Sequence, residues 1–173
     1  EAFEVIANAP AAPQVCVAAA RALGAGAGSR GMVYGQELDL KYEALAATEE
    51  QLRLIHRNKT GALINAAVQM GAAAAGATPQ QCEILASYAY GLGLVFQIVD
   101  DILDVTATTE ELGKPVGSDA ENDKTTFITL YGLEGARSLA KKHNDAALAA
   151  LADLGPEADF LREMAVELLT RSK

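Results

Sequence analysis

From Thr78-Pro79 to about Val105 the chain keeps a helical pattern with no breaker inside it except Gly91 and Gly93, and the stretch closes on Asp100, Asp101 and Asp104. Pro79 suits the first position of such a helix, where its missing N–H costs nothing. The two glycines lower helix propensity but let a neighbouring helix approach closely. Apolar residues before and between the acids imply a buried face, and carboxylates placed there are costly unless something compensates them. Asp100 and Asp104 are i,i+4, so they project from one side with Cβ atoms roughly 5–6 Å apart. Gln97 lies on that side one turn earlier. The acids also fall near the helix C-terminus, where the macrodipole disfavours negative charge. Two unfavourable terms at one place call for a cation. Oxygen ligands without a nearby His or Cys point to Mg²⁺ rather than zinc. A bare D-D-x-x-D fits equally well an acidic helix end dissolved in water, and on its own it does not choose.

The rest of the composition favours packed helices over sheets. Hydrophobic residues make up 50%, aromatics only 5%, Trp is absent, alanine is abundant and β-branched runs are scarce. The 173 residues suffice for one domain with a real core, and residues 1–173 read as a single all-α unit. A net charge of −9 argues against nucleic acid as a partner, since a phosphate backbone needs a basic footprint. Cys16 and Cys82 stand far apart among apolar residues and read as small core residues, with neither a disulfide framework nor a zinc site. No uninterrupted apolar run reaches the ~18–20 residues of a membrane span. No signal peptide is visible at Glu1-Ala-Phe-Glu-Val-Ile, so a cytoplasmic setting is the default expectation. The opening reads like an element entered midway, because it starts without Met on a helix-like apolar pattern.

Along the chain, Pro10 and Pro13 separate a first helical scrap from a helix near Val15–Leu23. Residues 24–31 (Gly24-Ala-Gly-Ala-Gly-Ser-Arg-Gly31) read as a turn, and Met32 to about Leu45 as a helix. Thr48-Glu-Glu-Gln51 resembles a capping box and opens a helical stretch to about Ala74. After the long helix, residues 113–119 form a loop. Helices resume near Thr125, break around Gly132 and continue to Leu154, and Gly155-Pro156 sets off a last helix.

The acids have basic companions in separate segments. Lys59-Thr60 lies within a helix, Lys114 in the glycine-flanked loop, and Lys124 just after the acidic run Asp119-Ala-Glu-Asn-Asp123. A polyanion bridged by Mg²⁺ needs this mixture: carboxylates hold the metal, the metal holds phosphate oxygens, and lysines neutralise the remainder. Each lysine taken singly is also compatible with a solvated surface charge. Gln36 and Asp39 are i,i+3 on one helix face, either an exposed polar stripe or a face that helps orient Lys59 or metal-bound water. Gly26-Ala-Gly28-Ser-Arg-Gly31 matches G-x-G-x-x-G in form only, because no strand precedes it. His56 and His143 lack companions at metal-ligand spacing and read as core or surface residues.

Taken together, Gly35-Gln36-x-x-Asp39-Leu40, Lys59-Thr60-Gly61, Phe96-Gln97-Ile-x-Asp100-Asp101-Ile-Leu-Asp104, Gly113-Lys114-x-x-Gly117-x-Asp119 and Asn122-x-Lys124-Thr125 resemble the trans-isoprenyl diphosphate synthases of short-chain, farnesyl or geranylgeranyl type. The resemblance implies an all-α bundle around a deep cavity, normally a homodimer. It implies a Mg²⁺-dependent condensation of isopentenyl diphosphate with an allylic diphosphate. Asp100 and Asp104 match the second aspartate-rich motif, which holds Mg²⁺, and Asp101 belongs to that motif. Lys59, Thr60, Gln97, Lys114 and Lys124 match residues that contact the allylic diphosphate. The family's first aspartate-rich motif and the isopentenyl diphosphate site have no counterpart in this sequence. The chain is therefore expected to be the C-terminal portion of a synthase, lacking its N-terminal helices and inactive by itself. Alternative readings are a non-catalytic partner subunit of a synthase and a class I terpene cyclase. The cyclases usually carry an Asn/Asp–Ser/Thr–Glu triad where this chain has Asp100, Asp101 and Asp104.

Overall fold

A computed structural model describes residues 1–43, 45–107 and 124–171. These form eight α-helices in the order α1 (Ala2–Ala7), α2 (Pro13–Ala27), α3 (Met32–Tyr42), α4 (Glu49–His56), α5 (Ala62–Ala74), α6 (Pro79–Thr106), α7 (Phe127–Ala150) and α8 (Asp159–Thr170). No strand occurs among the described residues. One π-helical turn, Arg57–Gly61, joins α4 to α5, and a 3₁₀ turn, Pro156–Ala158, leads into α8.

Local chemistry starts the helices where the sequence indicates. The Thr48 hydroxyl accepts from the Gln51 N–H while the Gln51 side chain accepts from the Thr48 N–H, and Thr78 with Gln81 repeats the arrangement. Each box satisfies two helix-end donors that would otherwise lack partners. Thr126 and Thr129 form a third at the start of α7. Gly132, at φ 68°, breaks the helical dihedrals inside α7, which is the expected interruption there.

Four expectations need correction. Helix α2 does not stop at Leu23 but runs through Gly24 and Gly26 to Ala27, which confines the turn to the residues before α3. Packing decides this: a Cβ on Gly26 would stand 2.6 Å from the Ala66 Cβ, so the glycine lets α2 lie directly on α5. Helix α3 ends at Tyr42 rather than near Leu45. Helix α7 ends at Ala150 rather than at Leu154. Helix α6 contains an 18-residue window apolar enough, by length and composition, to cross a membrane. Here it is the central element of the core.

Helix α6 packs along α7 and against α5 and α8. One core cluster joins Val95, Ile98, Val99 and Leu103 of α6 to Leu52 of α4 and Phe127, Ala136 and Ala140 of α7. A second joins Tyr88 and Leu92 to Ala147, Leu151 and Ala165. The Tyr88 hydroxyl donates to the Leu161 carbonyl at 2.7 Å, tying α8 to the middle of the long helix. Both glycines of α6 serve close approach. A Cβ on Gly91 would meet Ala147 at 3.1 Å, and one on Gly93 would meet the Gly61 Cα at 2.9 Å. The second contact fixes the π-helical turn against α6.

Candidate functional site: a lysine pair held on Asp39

Lys59 and Thr60 lie within the π-helical turn, not in regular α-helix. Such turns recur at functional sites because the extra residue re-aims side chains. Helix α3 sits directly over this turn. A Cβ on Gly35 would fall 2.1 Å from the Lys59 backbone nitrogen, so only glycine permits the approach. That contact brings Asp39, one turn later on α3, to Lys59. Asp39 Oδ2 accepts from Lys59 Nζ at 2.5 Å, and Asp39 Oδ1 pairs with Lys124 Nζ at 3.0 Å. One carboxylate thus draws together lysines from two distant segments. The Asp39 side chain is 12% exposed, and the lysines remain reachable at 33% and 28%. Burial pushes the Asp39 carboxyl up, but the hydrogen bonds and charges of Lys59 and Lys124 outweigh it and hold the group below its usual range.

Next to Lys59, the Thr60 hydroxyl donates to Gln97 Oε1 at 3.0 Å. Gln97 stands one turn before Asp100 on α6, so this bond sets the lysine pair beside the acid-bearing end of that helix. Lys124 reaches the same region because α7 is anchored there. The Phe127 N–H donates to Asp101 Oδ2 at 2.7 Å, and the Ala47 N–H donates to Thr125 Oγ1 at 3.0 Å. Gln36 is half-buried on α3, one turn ahead of Asp39.

The three aspartates of α6 do not share one environment. Asp100 is 42% exposed and lies 3.3 Å from Arg171 Nη2. Asp101 and Asp104 are buried, at 8% and 2%. Among the described residues no three acidic, histidine or cysteine side chains gather closely enough to share one ion. The expectation that Asp101 is a metal ligand meets a physical obstacle. Its position, about 100° around the helix from Asp100, turns it toward α7, and one oxygen is engaged by the Phe127 N–H. Its visible work is to fix the start of α7 and, through it, Lys124. Lys114 and Asp119 lie outside the described residues.

Two residues beside the site carry no sequence signal that assigns them to it: His56, which reads as a core or surface residue, and Arg171. His56 is buried between the site and Phe127, with ring centroids 5.6 Å apart. Burial pushes its imidazole down to about 4, only partly opposed by nearby Gln97 and Asp39, so it is neutral near pH 7. Neither ring nitrogen makes a protein hydrogen bond of ordinary geometry. Arg171 follows α8 and stacks over the Phe96 ring at 4.3 Å. A lone core His and a basic C-terminal residue carry no spacing signal that could have marked them.

Two hollows lie elsewhere in the fold. A cavity of about 780 Å³ separates α5, α6 and α8, and one of about 430 Å³ lies between α6, α7 and α8. Of the candidate site residues, Lys59, Thr60, Gln97, Asp39, Asp100, Asp101, Asp104 and Lys124 line neither, and Arg171 lines the smaller.

The polyprenyl synthetase family pattern matches residues 1–159. The chain belongs to that family. It is 38% identical to the farnesyl diphosphate synthase of Micrococcus luteus over 173 residues, covering 100% of this chain and 60% of the relative. It is 43% identical to geranylgeranyl pyrophosphate synthase 9, chloroplastic, of Arabidopsis thaliana over 145 residues, covering 82% of this chain and 40% of the relative. Its fold superposes with a TM-score of 0.83 and 36% identity on the geranyltransferase of Helicobacter pylori, crystallised with magnesium and isoprenyl diphosphate, covering 96% of this chain and 55% of that one. This polyprenyl synthetase chain thus spans roughly half the length of the relatives it matches.

Proposed function

We propose that this chain forms the diphosphate-binding part of a short-chain prenyltransferase, which condenses isopentenyl diphosphate with an allylic diphosphate. The observation that carries the reading is the Asp39 carboxylate holding Lys59 and Lys124 beside the Thr60–Gln97 pair, one turn from Asp100. In the reaction the allylic C–O bond breaks and its electron pair leaves with diphosphate. The alkene pair of isopentenyl diphosphate then forms the new C–C bond, and loss of a proton restores a double bond. The step that needs protein help is the growth of negative charge on the leaving group. Lys59 and Lys124 bind that group and neutralise it, with Lys114 as a third cation. Thr60 and Gln97 orient it through neutral hydrogen bonds. Asp39 keeps the two lysines convergent when no anion is present.

The oxygen chemistry suits a hard divalent cation such as Mg²⁺: Asp100 is the accessible carboxylate, and Asp104, buried one turn on, would have to turn outward to join it. Asp101 acts from behind, by anchoring α7. Bound there, the cation would supply Lewis-acid stabilisation of the diphosphate oxygens. A homodimer and a cytoplasmic setting belong to the same reading.

Calorimetric titration of inorganic pyrophosphate in the presence of Mg²⁺ tests it. Lys59→Gln and Lys124→Gln should each weaken binding about tenfold, as expected for loss of one charge-assisted contact. Glu83→Ala, remote on α6, should not. Equal affinities across the set would overturn the assignment.

A further inference from the structure

We propose that Arg171 is a built-in counter-cation of Asp100 that yields its place to a divalent metal ion. The inference rests on the metal role assigned to Asp100 above. Helix α8 ends at Thr170, and Arg171 leaves it in extended backbone, φ −60° and ψ 145°. Its side chain returns to α6 and meets three groups there. Nη2 lies 3.3 Å from Asp100 Oδ1 and 3.4 Å from the Phe96 carbonyl, and the guanidinium covers the Phe96 ring at 4.3 Å.

The balance among these contacts makes the pairing exchangeable. A strong Arg–carboxylate bond is bidentate and about 2.7–2.9 Å long. This one is single and long, with side-chain exposures of 22% and 42%. Ion pairs of that kind are weak. The guanidinium also rests on the Phe96 ring face, so Asp100 is not its sole anchor. It thus relieves the charge of the acid-bearing helix end without committing the carboxylate. A divalent ion competes for the same oxygens with twice the charge, and Arg171 can withdraw while remaining on Phe96.

Mn²⁺ binding to the full chain, followed by EPR of the free ion, tests the exchange. Asp100→Asn should weaken Mn²⁺ binding, Arg171→Gln should strengthen it about three- to fivefold, and Arg171→Lys should fall between. Unchanged binding in Asp100→Asn would remove the metal assignment and this inference with it. Weakened binding in Asp100→Asn with unchanged or weaker binding in Arg171→Gln would leave the assignment standing and overturn the exchange alone. The unmodified chain gives an independent readout should a variant fail to fold. Tryptic cleavage after Arg171, timed by intact mass against cleavage after Arg137, should quicken severalfold when Mn²⁺ is added. No quickening would equally overturn the exchange.

Discussion

At Asp39 a single carboxylate separates two ammonium groups that would otherwise repel each other at a partly exposed surface. Asp39→Asn should therefore destabilise by about 1 kcal/mol, discounted for solvent access to the lysines. A double-mutant cycle with Lys124→Gln, read from urea midpoints, should show coupling of about 0.5–1.5 kcal/mol. Additive effects would mean that the contact contributes nothing. His56 sets the pH response. Its folded value, about 4, lies below the ordinary 6.5, so the unfolded chain takes up a proton that the folded chain refuses. Stability should fall as pH drops from 6.5 toward 4, by about 2 kcal/mol at pH 5, and level off below. His56→Phe, which keeps the packing on Phe127, should flatten that decline in urea titrations at pH 7 and pH 5. Asp39 has the opposite sign: its contribution is complete above 3.8 and fades only as pH falls through its lowered value. These roles were unevenly legible. The i,i+3 spacing of Gln36 and Asp39 placed them on one face, but which cations Asp39 meets depends on a contact between segments. The exposure of Asp100 against the burial of Asp101 and Asp104 likewise depends on where α7 lands, which a D-D-x-x-D spacing does not encode.

Among the elements, the π-helical turn is the one that sequence patterning missed. Arg57–Gly61 contains no proline, and a helical periodicity passes through it without a break. The turn is stabilised from outside, by Gly35 of α3 on one side and Gly93 of α6 on the other, at positions where a Cβ would sit 2.1 Å and 2.9 Å from its backbone. The starts of α4 and α6 were legible because a Thr–x–x–Gln box at Thr48 and a proline at the first helical position, Pro79, act locally. The turn was not, because its cause lies in two other helices. Gly35→Ala should push α3 off Lys59, destabilise by about 1–3 kcal/mol and abolish pyrophosphate binding in the same titration. Gly71→Ala on α5 is the matched control. Nothing lies within 4 Å of the added Cβ, and the residue is helical, so the substitution should stabilise by about 0.5–1 kcal/mol and leave pyrophosphate binding intact. A Gly35→Ala protein that melts and binds like the parent would show that the approach of α3 is not what shapes the site.

Across the whole molecule, apolar surface is distributed unevenly. The central helix packs against α5, α7 and α8, and large apolar side chains stay exposed at both ends of the chain: Phe3, Val5, Val17 and Val33 on the first three helices at 54%, 70%, 52% and 50%, and Phe160 and Val166 on α8 at 69% and 52%. Exposed apolar side chains grouped on consecutive helices mark contact surfaces more often than single ones do. The chain should therefore self-associate through α1 and α2, giving a sedimentation coefficient that rises with concentration in the micromolar range. Val5→Lys combined with Val17→Lys should shift the distribution toward monomer without lowering the melting temperature, since neither side chain contributes to the buried core. The test separates two causes. Adding two lysines brings a chain of net charge −9 nearer to neutrality, which by itself favours association. Dissociation in the variant then reflects disruption of that face and not a change in overall net charge. An association that persists unchanged would place the interface on other helices, and a parent chain that sediments as monomer at every concentration would remove it.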